Sequence, residues 1–468
     1  MSANPNPKLV EKLLRSGHEH LLAWWPELPP AKQQALASQL DKIDFRQLHE
    51  ISQPTGGDGE SAVEKAARAE PPATVVRLPK TSADQDIHTT ARNRGLALLA
   101  AGRVGCILVA GGQGSRLGFP HPKGMFPIGP VSRNSLFQIL AEQLLARSRQ
   151  AGKPIPYFIM TSDATHDETV AFFQQNHFFG LDPADVFFFQ QGTMPAVDSR
   201  SGKVLLAEKD QVVASPDGHG GMLRAIERSG CLEEMSRRGI ETLYYHQVDN
   251  PTAVVCDPVF LGFHDQRESE ASTKVAAKRS ADEKMGLVAD IDGQTQVIEY
   301  SDLPADIAAQ TDETGGLRLW AGNTAIHAFQ RTFFERLLQD EIDLPFHLAR
   351  KVVPFIDEQG RKITPDFPNA TKFEKFIFDA LPKAAQTLVF EIDRAVEFNP
   401  VKNRSGSDSP ETAQTALLAL HRSWLVAAGI PQSPEVAVEI SPLFAVDGAE
   451  LAERLTDRES FSEPTYLR

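Results

Sequence analysis

The sequence predicts an α/β protein with a doubly wound, mostly parallel β-sheet, and three observations support this fold class. Short apolar runs of strand length occur at residues 104–110, 157–161, 186–189 and 242–248. Segments with the spacing of amphipathic helices separate these runs, and one of them begins at Thr165, which has capping-box spacing with Glu168. Another helix is predicted from about Thr89 to Ala100, before the first run. A glycine-rich loop directly follows the first run. Alternation of strands with helices is typical of a parallel sheet that carries helices on both faces.

The first strand and its loop together predict a phosphate-binding site. The apolar run 104–110 has the length and composition of a buried parallel strand. It continues as GGQGSRLG at 111–118 and PKGM at 122–125, and Ser135 with Gln138 has the capping-box spacing that begins a helix. Glycines let the backbone approach a ligand closely, so that successive N–H groups can point at phosphate oxygens.

Two better-known glycine motifs do not fit this loop. The phosphate loop of ATPases requires Lys after its last glycine, but Phe119 follows Gly118. The dinucleotide fingerprint has two residues between its last glycines, whereas three separate Gly114 from Gly118. The loop instead carries two cations, Arg116 and Lys123. The alternative is a glycine-rich turn whose cations are only solvated.

The flanking regions predict additions to a central domain. Leucines recur at helical spacing in residues 1–50, with a second helix at 31–40, and we interpret Trp24-Trp25 as part of a helix–helix contact. Residues 55–79 are rich in Gly, Glu, Ala and Pro and predict a linker. The predicted division is an N-terminal helical region with linker at 1–88, a central domain at 89–403 and a small C-terminal region at 404–468.

Composition excludes several classes of protein. The 468 residues carry 48 Lys and Arg against 62 Asp and Glu, a net charge of −14, which disfavours binding to nucleic acid or to a membrane surface. No apolar run approaches the ~20 residues of a membrane span, and no signal peptide is seen. The three cysteines lack zinc or redox spacing and the 13 histidines form no zinc motif, so we expect a cytoplasmic protein with reduced thiols.

Candidate binding residues occur at predicted strand ends and in short motifs elsewhere. Ligands bind beyond the carboxyl ends of parallel strands, where Gly111, Gln191 and Asp249 are expected to converge. Asp249 is a candidate Mg²⁺ ligand, since Mg²⁺ bound with phosphates takes one or two carboxylates; the alternative is a turn aspartate. PDGHGG at 216–221 is a second glycine-rich helix entrance or a tight turn.

Four weaker candidates lie further along the chain. Glu299-Tyr300 and Gly322-Asn323 offer hydrogen-bonding groups that suit sugar hydroxyls or an amide. Lys372 and Lys402 lie in short mixed motifs, and the alternative for each is an ordinary solvated lysine.

Taken together, these segments resemble the UDP-sugar pyrophosphorylase family, in particular the UDP-N-acetylhexosamine pyrophosphorylases. The resemblance runs from about residue 90 to the segment EISPL at 439–443, with a looser similarity in the N-terminal helices. The motifs that carry it, in family order, are AGGQGSRLG with PKGM, FQQG at 189–192, MPA at 194–196, PDG at 216–218, VDN at 248–250, VIEYS at 297–301, AGN at 321–323, KFEKFIFD at 372–379 and PVKN at 400–403.

The resemblance implies a Rossmann-like nucleotide-diphospho-sugar transferase fold and a role for each motif. The substrates would be UTP and an N-acetylhexosamine 1-phosphate, with Mg²⁺ or Mn²⁺ as cofactor, in a monomer or weak homo-oligomer. The implied nucleotide site comprises Ala110, Gly111, Gly112, Gln113, Gly114, Lys123, Gln191, Gly218 and Lys372. The implied sugar-phosphate site comprises His219, Glu299, Tyr300, Asn323 and Lys402, and the small Gly322 would leave room for an acetamido group. Arg116, Lys123 and Asp249 would be catalytic, with Asp249 as the metal ligand.

The chain departs from the family pattern at three positions. Ser115 stands where Thr is common, and Ala370 stands where a glycine is usual before Lys372. His219 replaces an asparagine in the Asn-Gly-Gly of the hexosamine branch, which puts the choice of sugar in question. A histidine there is bulkier and can carry charge near pH 6.5.

The implied reaction needs no general base, because a sugar 1-phosphate is largely dianionic at neutral pH. The requirement is instead for positioning and cationic groups around the phosphates. Three alternatives stay open: a pyrophosphorylase for glucose 1-phosphate or many sugars, a catalytically silent nucleotide-sugar-binding regulator, and an unrelated NAD-dependent enzyme. The presence of Arg116, Lys123 and Asp249 disfavours the second, and the glycine spacing disfavours the third.

Overall fold

A computed structural model of the chain describes residues 4–52, 62–431, 433–455 and 460–468. Its α-helices are α1 (Pro7–Ser16), α2 (Pro30–Lys42), α3 (Phe45–Ser52), α4 (Ala62–Ala67), α5 (Ser82–Ala101), α6 (Leu136–Ala151), α7 (His166–Gln175), α8 (Met222–Arg228), α9 (Cys231–Arg237), α10 (Pro258–Gln266), α11 (Ala305–Ala308), α12 (Arg331–Gln339), α13 (Arg394–Glu397), α14 (Pro410–Ala427) and α15 (Gly448–Arg454).

The strands over the same residues include long core strands and short hairpin strands. They are β1 (Val75–Val76), β2 (Val104–Val109), β3 (Tyr157–Thr161), β4 (Val186–Gln190), β5 (Thr193–Pro195), β6 (Val197–Asp198), β7 (Leu206–Glu208), β8 (Gln211–Val212), β9 (Ala214–Pro216), β10 (Thr242–Gln247), β11 (Ala271–Ala277), β12 (Leu287–Ile291), β13 (Gln294–Ile298), β14 (Ala321–Gln330), β15 (Phe346–Lys351), β16 (Phe355–Ile356), β17 (Lys362–Ile363), β18 (Ala370–Lys375), β19 (Thr387–Glu391), β20 (Val438–Ile440) and β21 (Thr465–Leu467).

The chain forms two compact units. The smaller comprises residues 1–61, 191–222 and 344–377, and the larger comprises residues 62–190, 223–343 and 378–468. The sequence-based division at residues 88 and 403 is drawn on other grounds and stays a prediction.

The larger unit is built on one sheet, which confirms the predicted fold class. Its strands run in the order β1-β19-β11-β14-β10-β2-β3-β4, and the hairpin β12-β13 joins at β14. Strands β10, β2, β3 and β4 pair in parallel, as do β11, β19 and β1. Strand β14 runs antiparallel to both neighbours. The carboxyl ends of β2, β3, β4 and β10 therefore share one edge.

The predicted strands and the helix after the loop are confirmed within a residue or two, and one predicted cap is wrong. Ser135 caps α6, its hydroxyl accepting from the Gln138 N–H at 3.1 Å. Thr165 makes no side-chain cap at α7, because its hydroxyl bonds back to Ser162 instead. Helix α5 begins seven residues before the predicted start at Thr89, where Thr81 and Asp84 form a capping box.

Helices α5 and α10 meet backbone to backbone on one face of this sheet. A Cβ on Gly95 would overlap the carbonyl of Pro258, and a Cβ on Gly262 would overlap the carbonyl of Ala91. Both glycines are therefore required by the close approach of the helices rather than by a turn.

The smaller unit packs the N-terminal helices onto short strands. Leucines of α1, α2 and α3 share a core with residues of β6, β7, β8 and β18. Trp25 is 7% exposed within this core, which confirms that it is a packing residue. Its three-stranded sheet has the order β15-β18-β6.

Part of the predicted linker at 55–79 forms regular secondary structure. Residues 55–61 lie outside the described residues, α4 and β1 follow, and β1 pairs in parallel with β19. The apolar pair Val75-Val76 is too short to give a strand signal by periodicity. Searched across the described residues, the helices include none long and apolar enough to cross a membrane.

Candidate active site

The glycine-rich loop leaves β2 as a closed double turn. Gly114 N–H donates to the His121 carbonyl at 2.9 Å and Lys123 N–H donates to the Gly112 carbonyl at 3.1 Å, which ties the two halves of the loop together. The first half contains a 3₁₀ turn, Ser115–Leu117, which ends at Gly118 with φ of 71°. The second half contains the turn Lys123–Met125.

The loop exposes a row of backbone donors. Among the residues that the structure describes, no acceptor pairs with the N–H groups of Gly111, Gly112, Gln113, Ser115 or Arg116. The Gly111 carbonyl is held by the Ser162 hydroxyl at 2.8 Å. Ala110, by contrast, belongs to the sheet, since its N–H donates to the Met160 carbonyl at 2.8 Å. Such a row of free donors is what an anion-binding nest requires.

Packing requires glycine at two positions of the loop, whereas a third glycine has no neighbour on its Cβ side. A Cβ on Gly114 would come within 2.8 Å of the Phe119 ring, and one on Gly124 would overlap the Phe137 ring. A Cβ on Gly112 would meet nothing within 4 Å. Gly112 therefore borders open space beside the free donors.

Lys123 and Asp249 meet at the carboxyl edge of the sheet. The Lys123 Nζ lies 3.4 Å from the Asp249 Oδ2, and the side chains are 17% and 15% exposed. Strands β2 and β10 bring them together, since Gln247 pairs with Val109 and the Val248 N–H donates to the Val109 carbonyl. Within the described residues, no cluster of three or more His, Cys, Asp or Glu could hold a metal ion.

The segment that carries Lys402 is attached directly to Asp249. The Val401 N–H donates to the Asp249 carbonyl at 2.8 Å, and the Lys402 Nζ lies 5.6 Å from the centre of the Phe398 ring. Asn250 joins the same segment, because its Nδ2 donates to the Glu397 carbonyl at 2.8 Å. The motifs at 248–250 and 400–403 thus form one unit of structure.

A buried ionic cluster stabilises the contact between these two motifs. Lys274 is fully buried and its Nζ donates to Asp257 at 2.7 Å and to Glu397. Although burial opposes its charge, the two carboxylates raise the pKa of Lys274. Burial raises the pKa of Glu397 to about 7 despite Lys274. The cluster holds Glu397, which in turn holds Asn250 beside Asp249.

The three predicted sugar-site residues of the larger unit differ in their surroundings. The Asn323 N–H donates to the Gly286 carbonyl at 2.7 Å, and a Cβ on Gly286 would lie 3.1 Å from the Glu299 Oε1. Asn323 and Glu299 are therefore both neighbours of Gly286. Tyr300 is 48% exposed.

On the side of Gly322 where a Cβ would point, the space is occupied by Met285, and room for an acetamido group stays a prediction. A Cβ on Gly322 would lie 2.5 Å from the Met285 Sδ, so the thioether of Met285 takes the space beside it. No local sequence pattern predicts this contact, because the two residues are far apart in sequence.

The smaller unit carries the remaining candidates around the end of β18. Asp217 N–H donates to the Gly192 carbonyl and Lys375 N–H donates to the Asp217 carbonyl at 2.7 Å, which joins the motifs at 189–192, 216–218 and 372–379. Gly218 has φ of 84° and faces the Lys375 backbone where a Cβ would be. Gln191 is buried, and Lys372 is half-buried on β18.

His219 is a neutral, packed residue, so the expectation of charge near pH 6.5 is wrong. Burial, with a smaller contribution from His347, lowers the pKa of His219 to about 4. Its Nδ1 accepts the Ile377 N–H at 3.2 Å and its ring stacks on Phe376. The methyl of Ala370, the third family departure, is fully buried in an apolar cluster with Ala196 and Val353.

Sequence reasoning missed several residues that the fold places beside these candidates. They are Gly286 and Met285 next to Asn323 and Gly322, Asn250 and Glu397 behind Asp249, and Arg404, whose guanidinium faces Gly118. Arg404 follows Lys402 by two residues, which is the one local signal that could have drawn attention to it.

The parallel sheet and its glycine loop suit the binding of a nucleotide, and comparison with known proteins identifies the chain as a nucleotidyltransferase and specifies its family. Residues 60–449 match the model of the family described as UTP–glucose-1-phosphate uridylyltransferase. The chain belongs to this family, a group of UDP-sugar pyrophosphorylases.

Relatives and solved structures resemble the chain over nearly its whole length. It is 36% identical to human "UDP-N-acetylhexosamine pyrophosphorylase-like protein 1" over 97% of this chain and 96% of that protein. It is also 36% identical to the Saccharomyces cerevisiae UDP-N-acetylglucosamine pyrophosphorylase over 94% of this chain and 95% of the relative. The crystal structure of the Trypanosoma brucei uridine diphosphate N-acetylglucosamine pyrophosphorylase with an inhibitor has a TM-score of 0.82 at 25% identity, covering 100% of this chain and 99% of that one.

Proposed function

We propose that this enzyme transfers the uridylyl group of UTP to an N-acetylhexosamine 1-phosphate and releases pyrophosphate. The observation that supports this most directly is the Lys123–Asp249 pair beside the free N–H groups of the loop. The names of the human and yeast relatives support the choice of an N-acetylhexosamine substrate.

The triphosphate is assigned to the loop and its cations. The free N–H groups of Gly111, Gly112 and Gln113 would donate to phosphate oxygens, and Gly114 and Ala110 shape the turn that carries them. Arg116 and Lys123 would stabilise the charge that develops on the leaving pyrophosphate. In the smaller unit, Gln191 and Gly218 would contact the uracil and Lys372 the nucleotide phosphates, as the family resemblance implies.

The sugar phosphate is the nucleophile. One of its oxygens attacks the α-phosphorus of UTP, a new P–O bond forms, and the bond to the β-phosphate oxygen breaks to release pyrophosphate. Lys402 would orient the attacking phosphate, since its segment is bonded to Asp249 through Val401. The family resemblance implies that the sugar is contacted by Glu299, Tyr300 and Asn323, and it also implies a sugar contact for His219. No proton has to leave the nucleophile, because the phosphate is already ionised.

The residues present fit a divalent cation that is shared with substrate. Asp249 offers a carboxylate whose neighbour at 3.4 Å is a lysine rather than a second carboxylate. A cation such as Mg²⁺ or Mn²⁺ would take one ligand from Asp249 and the others from phosphate oxygens and water, as is usual with nucleotides. It would supply positive charge at the α-phosphate. The cytoplasmic location and the monomeric or weakly homo-oligomeric state of the enzyme stay predictions.

A second candidate substrate is glucose 1-phosphate. The observation that favours it is Met285, which fills the space beside Gly322 that an acetamido group was expected to use.

The test is pyrophosphate release from UTP with Mg²⁺ and the 1-phosphates of N-acetylglucosamine, N-acetylgalactosamine and glucose. We expect the highest kcat/KM with an N-acetylhexosamine 1-phosphate. A pocket group left unpaired by the wrong sugar costs about 1–3 kcal/mol, or roughly 5- to 150-fold. A preference for glucose 1-phosphate would select the second candidate, and no release with any sugar would contradict both.

A further inference from the structure

We propose that Arg404 is a third cationic ligand of the pyrophosphate, acting together with Arg116 and Lys123. The inference rests on the proposed function, because pyrophosphate is the product released there. Neither the loop motif nor the family resemblance assigns a role to Arg404.

The guanidinium of Arg404 faces the end of the glycine loop. Its Cζ, Nε and Nη1 atoms are each 3.8 Å from the point that a Cβ on Gly118 would occupy. Three equal distances mean that the planar face of the guanidinium, rather than one edge, is turned toward Gly118. The N–H donors of a guanidinium lie in its plane and are therefore directed past the loop.

The backbone of Gly118 favours glycine at this position. Its φ of 71° disfavours any side chain, although a Cβ there would itself lie at ordinary van der Waals distance from the guanidinium. Gly118 also closes the turn that carries Arg116, because its N–H donates to the Ser115 carbonyl at 3.0 Å. Arg404 thus faces the turn that carries Arg116.

Arg404 is held there by a closed turn of its own. The N–H groups of Lys402 and Asn403 both donate to the Asp408 carbonyl, at 2.7 Å and 2.9 Å, and the Asn403 side chain donates to the Ser407 carbonyl. The same segment begins with the Val401 bond to Asp249. The segment that carries Arg404 is therefore hydrogen-bonded to Asp249 at its start, and its guanidinium faces the loop at Gly118.

The charge of Arg404 is available for an anion. It is exposed, and among the described residues no carboxylate forms an ion pair with it. This is notable in a chain with net charge −14, in which many arginines are paired. A guanidinium can donate two parallel hydrogen bonds to a phosphate, which makes arginine well suited to a multiply charged leaving group.

The experiment compares Arg404→Gln with Arg149→Gln, a substitution of an exposed α6 arginine that removes the same charge away from the loop. Pyrophosphorolysis of the UDP-sugar gives KM for pyrophosphate, and the forward reaction gives KM for the sugar 1-phosphate. Calorimetry of pyrophosphate binding to each protein gives a readout that does not need turnover.

For Arg404→Gln we expect KM and Kd for pyrophosphate to rise about 10- to 100-fold, as for loss of a charged hydrogen bond, with KM for the sugar 1-phosphate within about 2-fold of wild type. Arg404→Lys should fall between Gln and wild type, since it keeps the charge but not the paired donors. Circular dichroism and thermal unfolding check that the variants are folded.

Equal pyrophosphate constants in Arg404→Gln and Arg149→Gln would overturn the inference. A larger effect on the sugar 1-phosphate than on pyrophosphate would also overturn it. If the wild type released no pyrophosphate with any sugar, the proposed function would fail separately, and weaker pyrophosphate binding by Arg404→Gln in calorimetry would still support the anion site.

Discussion

At the scale of single residues, Asp249 offers the sharpest test of the proposed chemistry. We expect Asp249→Ala to lose nearly all turnover with the fold intact, because it removes the proposed metal ligand and leaves Lys123 without its carboxylate neighbour. The measurement is kcat over a Mg²⁺ and a Mn²⁺ titration, with Asp340→Ala, an exposed aspartate at the end of α12, as control. Near-normal turnover at saturating metal would show that the cation is held elsewhere.

Substitution of Lys123 should lower kcat, whereas substitution of Lys402 should raise KM for the sugar 1-phosphate. Lys123→Ala and Arg116→Ala should each lower kcat on the order of 10²–10⁴-fold, since these cations act on the leaving group. Lys402→Ala should raise KM for the sugar 1-phosphate while UTP still binds in calorimetry. Loss of UTP binding in Lys402→Ala, with normal binding in Lys123→Ala, would reverse the two roles.

His219 should influence sugar choice through shape and not through charge. Because burial lowers its pKa to about 4, the ring stays neutral from pH 6 to pH 8. We therefore expect the ratio of kcat/KM for N-acetylglucosamine 1-phosphate to that for glucose 1-phosphate to be constant over this range. A ratio that changed between pH 6 and 7 in wild type, but not in His219→Asn, would show that the ring does titrate.

At the scale of elements, the buried cluster of Lys274, Asp257 and Glu397 should stabilise the larger unit. Lys274→Met leaves two buried carboxylates without a cation and is expected to lower the free energy of unfolding by about 3–5 kcal/mol. Urea unfolding measures this, with the exposed Lys153→Met as control. Adding Asp257→Asn and Glu397→Gln to Lys274→Met should recover part of the loss, and no recovery would contradict the electrostatic explanation.

Local sequence predicted those elements whose signal is contained in a short stretch. Strands β2, β3, β4 and β10 were predictable because parallel strands buried on both faces are continuous apolar runs. The start of α5 was not, because residues 82–88 are mostly polar and only the Thr81–Asp84 cap marks the beginning. The cap at Thr165 failed because the Ser162 hydroxyl offers a competing partner.

Some parts of the candidate site were likewise predictable from the sequence, and others were not. The loop, Lys123 and Asp249 were predictable together, because strand ends of a parallel sheet meet at one edge. Met285 beside Gly322, Glu397 behind Asn250 and Arg404 on Gly118 were not, since each contact joins segments that no spacing rule relates.

At the scale of the whole molecule, stability should be greatest near pH 6.5 to 7. Burial lowers the pKa values of His246 to about 3 and of His264 and His421 to about 4, so protonation is favoured in the unfolded chain. Their contribution is complete above pH 6.5 and is lost as pH falls toward 4, at about 3 kcal/mol each. Glu397 acts oppositely: its raised pKa gives stability that is complete below about pH 4.5 and lost as pH rises through 7.

Urea unfolding at pH 4.5, 5.5, 6.5 and 7.5 measures this dependence. The midpoint should fall steeply on the acid side, and His264→Gln should flatten that fall while the exposed His177→Gln does not. A midpoint that is independent of pH between 6.5 and 4.5 would contradict the burial of neutral histidines.

The contact between α5 and α10 limits how this protein can change over evolutionary time. Replacing a helical glycine by alanine ordinarily strengthens a helix by about 1 kcal/mol, so Gly95 and Gly262 would look like easy targets for thermostabilisation. Here each faces a carbonyl of the opposite helix, and neither partner can become smaller to compensate. Helix α5 leads into β2, and α10 follows soon after Asp249. We therefore expect both positions to resist drift as strongly as the loop itself, although neither has any chemistry to perform.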